Sequence, residues 1–278
     1  MSAELSQSLP VLGAAMPVRV LEDLSGWIVD GQRDLELQDF IRGETLNGTE
    51  WRATAARAKQ LLSGYTGRMG IHGPFWGFTI ATDDPDVRAV VKKRMDQGLD
   101  VCAELGGSHM VIHSPYTTWD HNNLDNYVGG KQGVIDRVHA ALEDAVPRAE
   151  ALGVELVIEN IEDVDPNIRV DLVRSFDSKA VRVSIDTGHA HYAHGSTGAP
   201  PVDRYVMVAG DLLGHIHLQD ADGYADRHWA PGDGTVLWPS IFKAVAALSV
   251  KPRLILELRD HSEILKGAQH LIDLGLAR

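Results

Sequence analysis

Six short apolar segments each end in a residue able to hold a cation: Gly70-Ile71-His72, Val111-Ile112-His113, Val157-Ile158-Glu159, Ser184-Ile185-Asp186, His215-Ile216-His217 and Leu256-Glu257. His189 follows Asp186 by three residues, and the stretch Asp226-Arg227-His228 adds two more candidates. The gaps from His72 to His113, Glu159, Asp186, His217 and Glu257 are 41, 46, 27, 31 and 40 residues. A strand-plus-helix unit of an eight-fold barrel takes about 30 to 35 residues. The spacing therefore predicts one ligand per strand, all on one rim.

The residue types say what such a rim can do. Glu159, Asp186 and Glu257 converging with the His217 imidazole would repel one another, and a divalent ion restores their ionised forms. Oxygen-rich ligation with a single imidazole suits Mn²⁺, Mg²⁺, Co²⁺ or Zn²⁺. Adding His72, His113, His189, Asp226 and His228 moves the preference toward Zn²⁺, Fe²⁺ or Mn²⁺. Nine ligands exceed the needs of one ion, so two or three ions can be held. A lone His or Glu at a strand end is ordinarily a hydrogen-bonded rim residue, but buried carboxylates are rare unless paired or metal-bound. His109 and His215 lie two residues deeper on the same strand parity and are read as core histidines.

The elements needed to carry these residues are legible in the apolar pattern. Strands are expected at Val18–Leu21, Leu35–Phe40, Arg68–His72, Met110–His113, Val154–Glu159, Val181–Asp186, His215–Gln219 and Leu254–Leu258. Short runs rich in Val, Ile and Leu suit strands buried on both faces, as in parallel sheets. Helical periodicity fills Asp86–Leu105 and Lys131–Leu152, with shorter cases at Glu50–Leu62, Tyr205–Leu212, Trp238–Leu248 and Ser262–Leu274. Gly106 and Gly153 are placed to cap helices in the left-handed conformation. Alternation of this kind gives an α/β fold, a single (β/α)8 TIM barrel over residues 1–278. The segments after strands (Gly73–Asp84, Ser114–Gly130, Ala190–Asp203 and Asp220–Val236) are long and polar, which puts the active face at the ligand end.

Composition bounds the function. The chain has 278 residues, 44% hydrophobic and 23% charged, enough for one large core. Its net charge of −13 argues against nonspecific binding to DNA or anionic membranes. Cys102, the only cysteine, cannot form an intramolecular disulfide and sits in an apolar helical pattern as a buried structural thiol. No run of 18 apolar residues is present, and the first residues lack a signal-peptide pattern. A soluble cytoplasmic protein is expected.

The motifs Gly-Ile-His72-Gly-Pro, Val-Ile-His113-Ser-Pro, Val-Ile-Glu159-Asn160, Ile-Asp186-Thr187-Gly188-His189, Ile-His217-Leu-Gln-Asp220, Asp226-Arg227-His228 with Pro231-Gly232-Asp233-Gly234, and Leu-Glu257 together resemble the xylose-isomerase-like barrel superfamily. That superfamily comprises sugar (phosphate) isomerases and epimerases and the endonuclease IV apurinic nucleases. The resemblance runs from about residue 68 to 258. In the epimerase branch it implies a quartet of Glu159, Asp186, His217 and Glu257 around one metal. The two glutamates then act as the acid–base pair, through an enediolate, on a small sugar, sugar phosphate or keto-polyol. In the nuclease branch it implies that all nine positions hold three zinc ions for phosphodiester hydrolysis. A metal-dependent dehydratase or aldol-type lyase would use the same enediolate chemistry, whereas a non-catalytic binding barrel fits a complete ligand set poorly. The resemblance also implies that homo-oligomers are common.

Three features favour the isomerase or epimerase branch. Gln219-Asp220-Ala221-Asp222 departs from the nuclease pattern, which carries a Lys after Asn-Asp-Ser. The loops after strands hold mainly Lys131, Arg204 and Arg227 as cations, whereas phosphate contacts dominate DNA affinity. The Asp226-x-His228 pair with Pro-Gly-Asp-Gly also occurs in many proteins resembling sugar-phosphate isomerases. A small carbohydrate substrate is therefore expected, with no nucleic acid or membrane partner. Phe75, Trp76, Phe78, Tyr116, Trp119, Tyr192 and Trp229 can ring the mouth, stacking on sugar or packing loops. Ser114–Gly130 is long enough for a lid hinged at Gly129 and Gly130. Glu36, Gln38, Tyr116, Trp119, Arg227 and Arg259 are candidate substrate contacts. For Glu36 and Gln38 a structural role is equally open, and for Arg259 so is pairing with a carboxylate behind the ligands.

Overall fold

The computed structural model describes residues 9–278. Eight strands pair in chain order and close into a barrel: β1 (Gly13–Met16), β2 (Leu35–Leu37), β3 (Met69–His72), β4 (His109–His113), β5 (Glu155–Glu159), β6 (Val181–Asp186), β7 (Leu213–Leu218) and β8 (Arg253–Leu256). All neighbouring pairs are parallel, including β1 with β8. The fold is the expected (β/α)8 TIM barrel.

Parallel pairing requires a crossover after each strand, and helices supply it. The helix Pro85–Leu105 shows the local logic. The Asp84 side chain accepts from the amides of Asp86 and Val87, Pro85 occupies the first turn, and Gly106 ends the helix at φ 68°. Gly153 ends its helix likewise, at φ 69°. Side chains alternate along each strand, so Leu35, Ile71, Met110, Ile112, Leu156 and Ile158 face the helices and join Leu21, Met95 and Leu99 in the main core. The alternate positions fill the barrel interior. Among them Glu36, His109, Ser184 and His215 are polar and completely buried.

Four sequence expectations need correction. The first strand is Gly13–Met16; Val18–Leu21 opens the helix Val18–Asp30 instead. Pro17 stands at the N-cap, the Asp39 carboxylate accepts from the Val18 amide at 2.8 Å, and Val18, Leu21 and Ile28 bury one helical face. Lys131–Leu152 is two helices, Gly130–Leu142 and Ala145–Leu152. Pro147 cannot donate to the carbonyl four residues back and its ring crowds that carbonyl, so one continuous helix is broken there. Ala190–Asp203 is largely helical, within Thr187–Thr197 and Val202–Ala209, and Ser114–Gly130 contains the helix Thr118–Asn123. Pro166–Ser175, between β5 and β6, is a further helix, announced only by Asp165-Pro166 at its start. No helix among the described residues is long and apolar enough to cross a membrane.

Candidate metal centre

Register aligns the ligands. His113 stands beside Glu159 across β4 and β5, and Asp186 beside His217 across β6 and β7. The β6–β7 ladder shifts by one residue between Val183 and Ser184. That shift brings Ser184 opposite His215 and sets the Asp186–His217 pairing.

The structure gathers all nine sequence-predicted metal ligands into three groups, each with ligand atoms within 4.8 Å of one another. The first is His72, His113 and Glu159. Both Nε2 atoms lie 3.7 Å from Glu159 Oε2 and 3.4 Å from each other. The second is Glu159, Asp186, His217 and Glu257, all buried. His217 Nδ1 is 2.7 Å from Glu159 Oε1 and 3.2 Å from Glu257 Oε2. The third is His189, Asp226 and His228, with Asp226 Oδ1 3.4 Å from His189 Nε2 and 3.1 Å from His228 Nε2.

Each ligand is aimed by local chemistry. Asp186 is the N-cap of Thr187–Thr197, and its Oδ1 accepts from the His189 amide at 2.7 Å, so one Asp-Thr-Gly-His turn presents two ligands. Gly188 must be small there, because a Cβ would come within 2.2 Å of the Gln219 side chain. Gln38 donates to Glu257 Oε1 at 2.8 Å. His228 holds φ 51°, and its amide donates to Gln219 Oε1. Asp220 accepts from the amides of Gly232 and Val236 and from Trp238 Nε1, so it ties the Pro-Gly-Asp-Gly loop rather than serving as a ligand.

Charge and burial show whether cations suit the site. Glu159 Oε2, Asp186 Oδ2 and Glu257 Oε2 are buried without any hydrogen-bond donor. Buried anionic oxygens left unpaired are costly. Burial pushes the Asp186 carboxyl up to about 6 and the His113 imidazole down to about 3. Burial would depress His217 too, yet the carboxylates of Glu257, Glu36 and Glu159 hold it well above the ordinary imidazole range. The carboxylates therefore recruit a proton where they lack another cation. Acidic and imidazole groups in this arrangement can bind divalent metal, and the donor set fits it.

The predicted substrate contacts are scattered. Arg227 and Arg259 line a cleft of ≈ 470 Å³ with His228, Trp229 and Asp260. Arg227 is held there by Asp222, at 2.8 and 3.0 Å. Tyr116, 3% exposed, is packed in the floor of a smaller cavity of ≈ 170 Å³ with Phe75, Phe78 and His113. Phe75 stacks on His113 with ring centres 4.0 Å apart. Trp119 is exposed on its short helix. Glu36 is not at the mouth: it has no exposed surface and reaches His217, His215 and His109 from below.

Three supporting residues were not assigned from sequence. Gln219 Nε2 donates to Asp186 Oδ1 (3.0 Å) and Asp226 Oδ1 (3.1 Å), joining the second group to the third. Asn160 brackets the Asp186 backbone, accepting from its amide at 2.8 Å and donating to its carbonyl at 3.1 Å. Arg169 is buried behind both strands, bonding the carbonyls of Ile158 and Ser184. The Glu159-Asn160 and Leu218-Gln219 steps were visible in sequence, but nothing local marks Arg169.

Comparison with known proteins matches residues 36–275 to a family model described as xylose isomerase-like TIM barrel. A D-psicose 3-epimerase of Ruminiclostridium cellulolyticum is 26% identical over 192 residues, 67% of this chain and 61% of that enzyme, so the match spans about three fifths of its length. An uncharacterized protein of Methanocaldococcus jannaschii is 24% identical over 228 residues, 77% of this chain and 74% of that protein. The structure of a Thermus thermophilus protein soaked with zinc chloride superposes with TM-score 0.71 at 23% identity, covering 96% of this chain and 99% of the other.

Proposed function

The chain belongs to the xylose isomerase-like TIM-barrel family, and from that membership we propose that it is a divalent-metal-dependent isomerase or epimerase of a small sugar, sugar phosphate or keto-polyol, working as one cytoplasmic barrel domain. Relatives named as sugar 3-epimerases support an enzyme of this kind. One observation carries the metal dependence: three buried carboxylates each leave an oxygen without a donor around one imidazole.

Glu159, Asp186, His217 and Glu257 would hold the principal ion, Mn²⁺ or Zn²⁺. When bound, the cation supplies Lewis-acid polarisation of a substrate carbonyl and its neighbouring hydroxyl. Glu159 and Glu257 act on opposite faces of the substrate carbon, one removing its proton to give an enediolate and the other returning it. Gln38 holds the Glu257 carboxylate in place by donating to its Oε1 at 2.8 Å. Burial of both glutamates keeps water from competing for that proton. Phe75, Trp229 and the two arginines of the larger cleft offer apolar faces and donors to a polyol or its phosphate.

The test combines metal analysis with isotope exchange. About one Mn²⁺ or Co²⁺ per purified chain, and exchange of the substrate proton with deuterated solvent that Glu257→Gln abolishes, would support the reading. A chain that binds no divalent metal, or exchange that persists in Glu257→Gln, would remove it.

A second reading rests on the two flanking groups. All nine ligands fall into three groups, two of which share Glu159, which suits three zinc ions in a phosphoesterase of the endonuclease IV type. Nearly three Zn²⁺ per chain together with cleavage of abasic-site DNA would replace the first reading with this one. The net charge of −13 and the scarcity of cations in the rim loops weigh against a DNA substrate.

A further inference from the structure

Beneath the rim carboxylates lies a second polar layer that the proposed proton transfers do not use. Its centre is Glu36 on β2, wholly buried in the barrel. Glu36 Oε1 is 3.0 Å from His217 Nε2, and Oε2 is 3.1 Å from His215 Nε2 and 3.3 Å from His109 Nε2. Among the described residues, its ion pairs are all with imidazoles. A carboxylate buried this deeply is costly unless its oxygens accept hydrogen bonds, so His217 Nε2 at Oε1 and His109 Nε2 at Oε2, the two ring nitrogens aligned on it, must be donors.

The layer is built for that purpose. His215 Nδ1 lies 2.8 Å from Ser184 Oγ, which holds the ring against Glu36 Oε2. Gly70 flanks Glu36 in one ladder and His109 in the next. A Cβ there would fall 2.2 Å from His109 Nδ1, so a glycine is what admits the His109 ring. With His109 and His215 at Oε2, Oε1 is left for His217.

We infer that Glu36 is a positioning residue that takes the Nε2–H of His217 and so fixes Nδ1 as the atom that ligates the ion. The inference rests on the metal reading of the quartet. A neutral imidazole has one N–H, and here carboxylates face both ring nitrogens: Glu36 on Nε2, Glu159 and Glu257 on Nδ1. The end that keeps the proton decides whether the ring is a ligand or a spectator. Carboxylates that take the far N–H of a metal-bound imidazole orient the ring and raise its basicity, and their loss costs roughly 10- to 100-fold in metal affinity. Glu36 thereby reaches the site through His217 without touching the mouth.

Zn²⁺ affinity of the full chain, measured by competition with a chromogenic chelator, tests this. Glu36→Gln should weaken binding at the quartet about 10- to 100-fold. In a His217→Ala background the same change should alter it less than about 2-fold, because the path is gone. A merely structural glutamate would lower the melting temperature equally in both backgrounds and leave the difference in affinity unchanged. Unaltered Zn²⁺ affinity in Glu36→Gln overturns the inference. A second measurement needs no variant. Long-range ¹H–¹⁵N correlation on the Zn²⁺-loaded wild type should show His217 protonated at Nε2 and ligated at Nδ1, and the reverse assignment overturns it. If the wild-type chain takes up no divalent metal, Zn²⁺ and Mn²⁺ included, the metal reading itself fails and the inference falls with it; uptake with an unaffected Glu36→Gln variant defeats only the inference.

Discussion

Replacing Arg169 by leucine should loosen the metal centre from behind. Arg169 is 1% exposed on the helix Pro166–Ser175. Its Nη1 donates to Ile158 O at 3.1 Å, to Asn160 Oδ1 at 3.3 Å and to Ser184 O, while Nε sits 3.1 Å from Asp163 Oδ1. Ile158 immediately precedes Glu159, and Ser184 lies two residues before Asp186, so one guanidinium ties the ends of β5 and β6 that carry two ligands. Leucine would leave the Asp163 carboxylate buried without its cation, a loss of about 3 to 5 kcal/mol. At about 2.1 cal/mol/K per residue over 278 residues, the unfolding entropy is roughly 0.6 kcal/mol/K. A 4 kcal/mol loss then lowers Tm by about 7 °C. The assay is thermal unfolding by circular dichroism on the metal-free protein, with Arg169→Leu, Asp163→Leu and the double variant. The double variant should lose less than the sum of the singles, with a coupling above about 1 kcal/mol. A drop under about 2 °C for Arg169→Leu, or strict additivity, would refute the claim that this pair braces the site.

Further outcomes follow from particular side chains. Gly70→Ala pushes a methyl into the His109 ring and should destabilise the chain by about 1 to 3 kcal/mol, read as a lower urea midpoint; an unchanged midpoint would show that the ring has room. His228→Ala should reduce metal stoichiometry at the His189–Asp226–His228 group while the quartet keeps its ion, and loss of all bound metal in elemental analysis would show that the groups are not separable. Burial pushes the Cys102 thiol up to about 12. The folded protein then holds that proton more tightly than the unfolded chain, so the stability it contributes is whole below about 9 and is lost as pH rises toward about 12. Cys102→Ala should flatten the alkaline fall of Tm in that window, and native Cys102 should resist iodoacetamide until the chain unfolds; rapid labelling of the folded protein would contradict its burial.

The ligands were legible in the sequence because each belongs to a local pattern: an apolar β run whose last residue, or the one just beyond it, is His, Asp or Glu. In a parallel barrel every such run points the same way, so the strand-end ligands His72, His113, Glu159, Asp186, His217 and Glu257 had to share a rim once seven of the eight strands were recognised. Val18–Leu21 was misread because Val18, Val20 and Leu21 fit a strand or a helical face equally, and only the helix continuing to Asp30 decides between them. Glu36 was rightly seen on a strand, but strand parity gives a side and not a depth. Barrel closure put it under His217 instead of at the mouth. Asn160, Gln219 and Arg169 act on partners that lie near the ligands in space and 7 to 33 residues away in the chain, a relation that no local pattern encodes. Local residue type and period thus determined which atoms can bind a cation and on which face. Tertiary packing alone determined which of those atoms meet, because the separation of two side chains on different strands depends on register, shear and the one-residue shift between β6 and β7.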